Sequence, residues 1–143
     1  MSIEQLHVPA ELAKELSDIH NADTTKLAYI GDAVYEVFVR MNSALVCGRH
    51  AADMNKTSVH YVKADSQARA AKGLLETFYT DEEILLFKRA RNRTNTSHPR
   101  GSTPTEYKLA TGFEAVIGWL YIRGDLERLS ETCKEAMRII DEK

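Results

Sequence analysis

Two acidic residues lie in segments that are otherwise mostly apolar, and they are the first candidates for chemistry. Asp32 belongs to a segment, residues 27–40, whose main apolar stripe at helical spacing is Leu27, Ile30, Val34, Val37, Phe38 and Met41. Asp32 lies opposite this stripe, where its neighbours at helical spacing are again apolar, namely Ala28, Tyr35 and Val39. Glu114 has similar surroundings on the segment 107–121, beside Tyr107, Thr111, Gly118 and Tyr121.

A carboxylate among apolar neighbours needs a cation or a hydrogen-bond donor, or it takes up a proton, because desolvating its charge costs several kcal/mol. If the two helices cross, one hard divalent cation would satisfy both Asp32 and Glu114. Mg²⁺ in particular prefers one or two carboxylates together with waters and substrate phosphates. The alternative is that each acid bonds to the backbone or pairs with Arg or Lys. Glu36, four residues after Asp32, is interpreted as a solvated helix acid.

Positive charge is concentrated in residues 88–108, which carry six basic side chains against one acid, Glu106. The basic residues are Lys88, Arg89, Arg91, Arg93, Arg100 and Lys108. The rest of the chain is acidic, since the net charge of the whole is only −2. A basic segment on an acidic body favours contact with a polyanion such as nucleic acid, and the alternative is a solvated loop.

The composition excludes several other classes of protein. A chain of 143 residues with 43% hydrophobic residues is typical of a single globular domain. The two cysteines, Cys47 and Cys133, are too few for a disulfide framework, and the five histidines have no zinc-ligand spacing. Because the chain has neither a signal-peptide pattern nor a membrane-spanning apolar run, we expect a cytoplasmic protein.

Apolar spacing in threes and fours predicts an all-α fold. We expect helices over residues 10–19, from about 24 to 46, over 51–75 as one long or two shorter helices, from 80–83 to about 90, over 107–122 and over 125–140. Residues 92–105 are expected to form a loop, because Pro99 and Pro104 should not sit in a helix.

The helix that contains Asp32 is apolar nearly all round, which predicts that it is buried on two sides. One side would face the core of its own domain and the other a second subunit. We therefore expect a homodimer joined through this helix, with Tyr29, Ile30 and Val37 as the candidate contact residues.

Three motifs carry a resemblance to a known family. The segment LAYIGDAVYE at residues 27–36 resembles the signature helix of ribonuclease III, and GFEAVIG at 112–118 resembles its second acidic motif. The basic run KRARN at 88–92, a proline-containing loop and TEY at 105–107 are similar to the short branch, the Mini-ribonuclease III proteins. That branch lacks the double-stranded-RNA-binding domain, so the resemblance implies one catalytic domain over residues 1–143.

The resemblance implies a homodimeric, Mg²⁺-dependent endoribonuclease that cleaves double-stranded RNA with the helical ribonuclease III fold. Asp32 and Glu114 would be catalytic and would hold the metal, directly or through water. The implied substrate is precursor large-subunit (23S) ribosomal RNA, with a ribosomal protein as an assisting partner. The implied RNA-binding residues are Lys88, Arg91, Arg93, Arg100, Tyr107 and Lys108.

The chain departs from the larger family members at two positions. Those enzymes carry four clustered acids, and Ala28 and Thr111 occupy two of the four positions here. Fewer protein ligands would then hold the metal, and either one or two ions per site is compatible with the sequence. The rival interpretation is a non-catalytic helical module for RNA binding or dimerisation, which would use the same basic segment without a metal.

Overall fold

Seven helices make up the regular structure of residues 7–93 and 101–142, the part of the chain that the computed structural model describes. They are α1 (Ala10–Leu16), α2 (Thr24–Val46), α3 (Ala51–Val62), α4 (Ala64–Thr77), α5 (Asp81–Arg93), α6 (Pro104–Ile122) and α7 (Leu126–Asp141). The all-α prediction is confirmed. No helix in these two ranges is both long and apolar enough to cross a membrane.

Side-chain caps set the starts of several helices where the sequence predicts them. Asp23 caps α2, since its Oδ1 accepts the N–H of Thr25 at 2.9 Å. At α5, the N–H of Thr80 donates to Glu83 Oε1 at 2.9 Å, and the N–H of Glu83 donates back to Thr80 Oγ1 at 3.3 Å. The segment 51–75 forms two helices, and Lys63 in extended conformation separates them.

The prediction that Pro104 stands outside a helix is wrong. Thr103 and Glu106 form a reciprocal capping box, and Pro104 occupies the first turn of α6. Proline is tolerated there because its missing N–H would have no partner within the helix. Helix α6 therefore starts three residues earlier than the apolar spacing alone indicates. Conversely, α1 ends at Leu16, before the predicted end at Ile19.

Helix α6 is the centre of the core and contacts α1, α2, α4, α5 and α7. The side chains of Phe113, Val116 and Ile117 have no exposed surface, and Leu120 has almost none. The apolar spacing of the sequence predicts this buried helix with a core stripe of Leu109, Phe113, Val116, Ile117 and Leu120, and all five residues are buried. Burial on nearly every side of its middle turns means that a polar group there lies close to another helix.

Helix α2 turns a different face to the core from the one that its apolar stripe predicts. The buried residues are Thr24, Leu27, Ala28, Gly31, Tyr35, Val39 and Ser43. Of the predicted stripe, Ile30, Val34 and Phe38 are only half-buried, whereas Val37 and Met41 are each 55% exposed. The physical reason is that the narrow face with Ala28 and Gly31 can approach α6 more closely than the face with the larger side chains.

Two glycines allow this close approach between α2 and α6. A Cβ atom added to Gly31 would lie 1.8 Å from the backbone oxygen of Glu114. A Cβ added to Gly118 would lie 2.1 Å from the backbone oxygen of Leu27. Both distances are far below van der Waals contact, so the two backbones touch here and no other residue fits without moving a helix.

We predict that Gly31→Ala pushes α2 away from α6 and lowers the free energy of unfolding by about 3 kcal/mol or more. Urea unfolding followed by circular dichroism measures the loss. Gly48→Ala is the matched control, because a Cβ at Gly48 meets nothing within 4 Å, and it should leave the stability nearly unchanged. Equal stability of the two variants would contradict the close crossing.

Candidate active site

The glycine crossing brings the two acids predicted from the sequence into contact. Asp32 follows Gly31 on α2, and Glu114 on α6 is the residue whose backbone Gly31 touches. The Asp32 and Glu114 side chains share a hydrogen bond. The apolar neighbours predict that both acids are desolvated. Glu114 is half-buried, in line with this prediction, whereas Asp32 is exposed.

The pKa of Glu114 is raised to about 9. Burial is the largest cause, followed by the negative charge of Asp32 and by the hydrogen bond with Asp32, which favours the protonated form. A hydrogen bond from Gln67 acts in the opposite direction and lowers the pKa. At neutral pH the two carboxyl groups therefore hold a proton between them.

Each acid could instead pair with a basic side chain, but no such pair occurs within residues 7–93 and 101–142. The ion pairs found within these ranges join Lys26 to Glu15, Arg40 to Glu36, His60 to Asp141, Arg128 to Glu83, and Arg138 to Glu135 and Glu142. Neither Asp32 nor Glu114 takes part in any of them. Two acids in contact with a proton between them provide a negatively charged site that a divalent cation can occupy.

Both acids open onto a cavity of about 820 Å³ between α2, α6 and the start of α4. Ala28 and Thr111, which stand where the larger family members carry acids, line the same cavity. The Thr111 hydroxyl donates to the backbone oxygen of Tyr107 at 2.9 Å. Asp65 and Glu106 also line the cavity, where their carboxylates accept the backbone N–H groups of Ser66 and Thr103. No cluster of three or more His, Cys, Asp or Glu side chains suited to a metal occurs in the described ranges, and Asp32 and Glu114 are the two carboxyl groups in contact.

Gln67 lines this cavity from α4 and was not among the site residues predicted from the sequence. Its side chain is only 3% exposed, and its Nε2 donates to the backbone oxygen of Val62 at 3.0 Å. Among the residues that the structure describes, its Oε1 is buried without a hydrogen-bond partner. The sequence does contain one signal for Gln67, which shares a helical stripe with Ala70, Ala71 and Leu74. A long polar side chain on such a buried stripe is unusual and indicates a specific contact.

The donor set fits a hard divalent cation. Two carboxyl groups and an unpartnered amide oxygen are all oxygen ligands, which Mg²⁺ prefers over nitrogen and sulfur. The open cavity leaves room for waters and for a substrate phosphate beside the carboxylates. Lys63, a second residue that the sequence analysis misses, lines the same cavity and is exposed.

Of the residues predicted to bind RNA, those that the structure describes are not gathered in one place. Arg93 and Tyr107 line the cavity, whereas Lys88, Arg91 and Lys108 do not. Lys88 is exposed, Arg91 and Lys108 are half-buried, and Arg100 lies outside the described residues.

Arg89 belongs to the basic segment but has a structural role. Its guanidinium donates to the backbone oxygens of Ile19 and Ala22, which stabilises the turn between α1 and α2. Arg89 is one of the six basic residues of the segment, but its side chain is half-buried and its guanidinium already donates to two backbone oxygens.

Two of the three candidate residues for a subunit contact lie on the outward side of α2. Tyr29 is 83% exposed and Val37 is 55% exposed, whereas Ile30 is half-buried and packs against the core. Tyr29 also lines the cavity of the two acids. The outward side of α2 is therefore both apolar and adjacent to the candidate site.

The family model of the Ribonuclease III domain matches residues 25–125, a range that includes both acids and the cavity between them. The chain belongs to the ribonuclease III family. It is 35% identical to the Mini-ribonuclease 3 of Clostridium tetani, over 87% of this chain and 83% of that protein. It is 30% identical to the Mini-ribonuclease 3 of Enterococcus faecalis, over 89% of this chain and 97% of that protein.

A solved structure agrees with these relatives. The crystal structure of protein FN1578 from Fusobacterium nucleatum matches with a TM-score of 0.74 and 30% identity, over 85% of this chain and 97% of that one. The resemblance and the helical ribonuclease III fold that the motifs predict are thus confirmed. The enzyme is an endoribonuclease, which disfavours the interpretation as a non-catalytic module. Its family acts on double-stranded RNA, usually as dimers, and is generally dependent on divalent metals.

The raised pKa of Glu114 predicts how stability changes with pH in the metal-free protein. Between pH 4.5, the ordinary value, and about 9, the folded state binds more protons than the unfolded state, so stability falls as pH rises through this window. Glu114→Gln removes that dependence. We expect the variant to match the wild type near pH 4.5 and to exceed it by about 2 kcal/mol at pH 8.

Urea unfolding in EDTA at the two pH values checks this expectation. Glu36→Gln is the control, because Glu36 is also an acid of the α2–α6 region but pairs with Arg40 at the surface. The control should follow the wild type at both pH values. Parallel pH curves for Glu114→Gln and the wild type would show that Glu114 is not held protonated by its surroundings.

Proposed function

We propose that the enzyme is a Mg²⁺-dependent endoribonuclease that hydrolyses backbone phosphodiesters of double-stranded RNA at the Asp32–Glu114 site. The observation that carries the proposal is the contact between these two carboxyl groups, which hold a proton and have no basic partner within the described ranges. Building such a pair costs stability. A bound cation would offset that cost in stability, so the pair of acids is consistent with a cation site.

Asp32 and Glu114 would hold the cation from opposite helices. When bound, a divalent cation activates water as a nucleophile and neutralises charge on the phosphate and the leaving oxygen. Asp32 is exposed, so it faces the open cavity where a phosphate can enter. Glu114 is half-buried and held by its neighbours, so it keeps a fixed position relative to the RNA backbone.

Arg93, Lys63 and Tyr107 would bind the RNA strand that lies in the cavity. Asp65 and Glu106 line the same cavity, and their carboxylates accept backbone N–H groups at the starts of α4 and α6. The two cations and the phenol suit phosphate and sugar contacts, the usual way in which proteins bind duplex RNA by shape. Lys88, Arg91 and Lys108, together with Arg100, would extend this contact along the duplex outside the cavity. Arg89 is excluded from this role because its guanidinium already bonds to backbone oxygens.

The similarity to Mini-ribonuclease 3 proteins over most of the chain supports a finer proposal for the substrate. On that basis we propose precursor 23S ribosomal RNA as the substrate, a ribosomal protein as an assisting partner, and the cytoplasm as the location. The two cysteines, which are unpaired, are compatible with a reducing compartment.

The exposed apolar side of α2 supports a homodimer. Tyr29, Val37 and Met41 are each more than half exposed, and on a monomer they would place large apolar side chains in water along one helix. A second copy of the chain that covers this side would lie next to the cavity, because Tyr29 belongs to both surfaces. Each subunit would then contribute one acidic site to a shared duplex.

We predict that Asp32→Asn lowers the Mg²⁺-dependent cleavage rate of a perfect RNA duplex by about a hundredfold or more, because the change keeps the shape and removes the ligand charge. RNA affinity and Tm should stay close to those of the wild type. Glu36→Gln is the control, one turn further along α2, and it should cleave normally. Wild-type cleavage by Asp32→Asn would exclude Asp32 as a metal ligand.

We also predict that Val37→Asp converts the dimer to a monomer at micromolar concentration and reduces cleavage in parallel, because it places a charge on the apolar contact. Light scattering measures the mass, and the duplex assay measures the activity. Val59→Asp on α3, where Val59 is 46% exposed, is the control and should remain dimeric. A wild-type protein that is monomeric under the same conditions would rule out the proposed contact.

A further inference from the structure

One buried polar atom at the cavity of the two acids has no partner in the described ranges, the side-chain oxygen of Gln67. Gln67 is 3% exposed and lines the same cavity as Asp32, Glu114 and Thr111. A buried carbonyl oxygen without a hydrogen bond is costly, and native proteins satisfy almost all such groups. This oxygen therefore needs a donor or a cation.

The orientation of the Gln67 amide follows from its other contacts. Nε2 donates to the backbone oxygen of Val62 at 3.0 Å. A backbone oxygen only accepts hydrogen bonds, so a flipped amide would turn its own oxygen toward the oxygen of Val62 without a donor between them. Nε2 therefore faces Val62, and Oε1 is the atom left to accept.

We propose that Gln67 supplies the third oxygen donor of the cation site, with Oε1 contacting the divalent cation or one of its waters while the bond from Nε2 to Val62 fixes the amide. The inference rests on the proposed metal site of Asp32 and Glu114. An amide oxygen suits a hard cation and adds no negative charge to two carboxylates already in contact. It also comes from a third helix, α4, whereas both acids come from α2 and α6.

This role explains how the site functions with two carboxylates. Ala28 and Thr111 line the cavity but contribute no acid, and the Thr111 hydroxyl already donates to Tyr107. Gln67 provides an oxygen to the same cavity without needing either position. Removing a group that supports a metal ligand or orients a bound water weakens metal affinity by about ten- to a hundredfold in other proteins.

The test measures Mn²⁺ binding to the full-length, metal-stripped protein without RNA, by the electron paramagnetic resonance signal of free Mn²⁺. We expect Gln67→Met to raise the Kd for Mn²⁺ by about tenfold. The matched control is Ser66→Ala, the neighbouring residue on α4, which is fully buried and donates to the backbone oxygen of His60 at 2.7 Å. It should lose stability and keep the wild-type Kd within about twofold.

A second variant keeps the proposal testable if Gln67→Met does not fold. Gln67→Glu has the same shape and places a charged oxygen at the site. It should be less stable than the wild type without metal and show a larger rise in Tm on adding Mn²⁺. A purely structural Gln67 also predicts a lower Tm without metal, but it predicts only the wild-type rise in Tm on adding Mn²⁺.

The same titration separates this inference from the proposed function. If Asp32→Asn loses Mn²⁺ binding while Gln67→Met keeps the wild-type Kd, or while Gln67→Glu shows no larger Mn²⁺ response, the role of Gln67 is wrong and the metal site stands. If Asp32→Asn binds Mn²⁺ like the wild type, the metal site itself is wrong and Gln67 has no cation to serve.

Discussion

The candidate site depends on the backbone contact between α2 and α6 at Gly31 and Gly118. Because neither residue has a side chain, the helices approach until a Cβ at Gly31 would overlap the backbone oxygen of Glu114. That approach is what places Asp32 in hydrogen-bond contact with Glu114. The wider spacing of ordinary helix packing, 8–10 Å between axes, would move the two carboxyl groups apart. Gly31 and Gly118 therefore set the distance between the two carboxyl groups through the packing of the helices.

The same contact makes the metal-free site unfavourable. Burial and the nearby charge of Asp32 raise the pKa of Glu114 to about 9, so the folded protein holds a proton that the unfolded chain would release at neutral pH. A core built for stability alone would contain an apolar residue at this position. The rest of α6 is such a core, with Phe113 and Ile117 fully buried. The site is thus a local loss of stability that the surrounding packing of α6 offsets.

Sequence patterns predicted the parts of the fold that depend on local chemistry. Caps such as Asp23 and Thr80 indicate the helix starts, and the motifs at 27–36 and 112–118 indicate both acids and the family. The prediction of the core face of α2 was wrong, because hydrophobic periodicity gives most weight to large side chains. It does not measure how closely Ala28 and Gly31 let another helix approach. Gln67 was missed for a related reason, since its partners come from other elements and no spacing along the chain connects them.

Gln67 and Tyr29 show that the site is assembled from more than the two acids. Gln67 enters the cavity from α4, on the side that the domain core supports. Tyr29 enters it from the apolar outward side of α2, where 83% of its surface is exposed. A subunit covering that side would bury the tyrosine and narrow the cavity beside Asp32. Dimer formation and the geometry of the acidic pair would then be coupled through a single turn of α2, since Tyr29 and Asp32 are three residues apart on one helix.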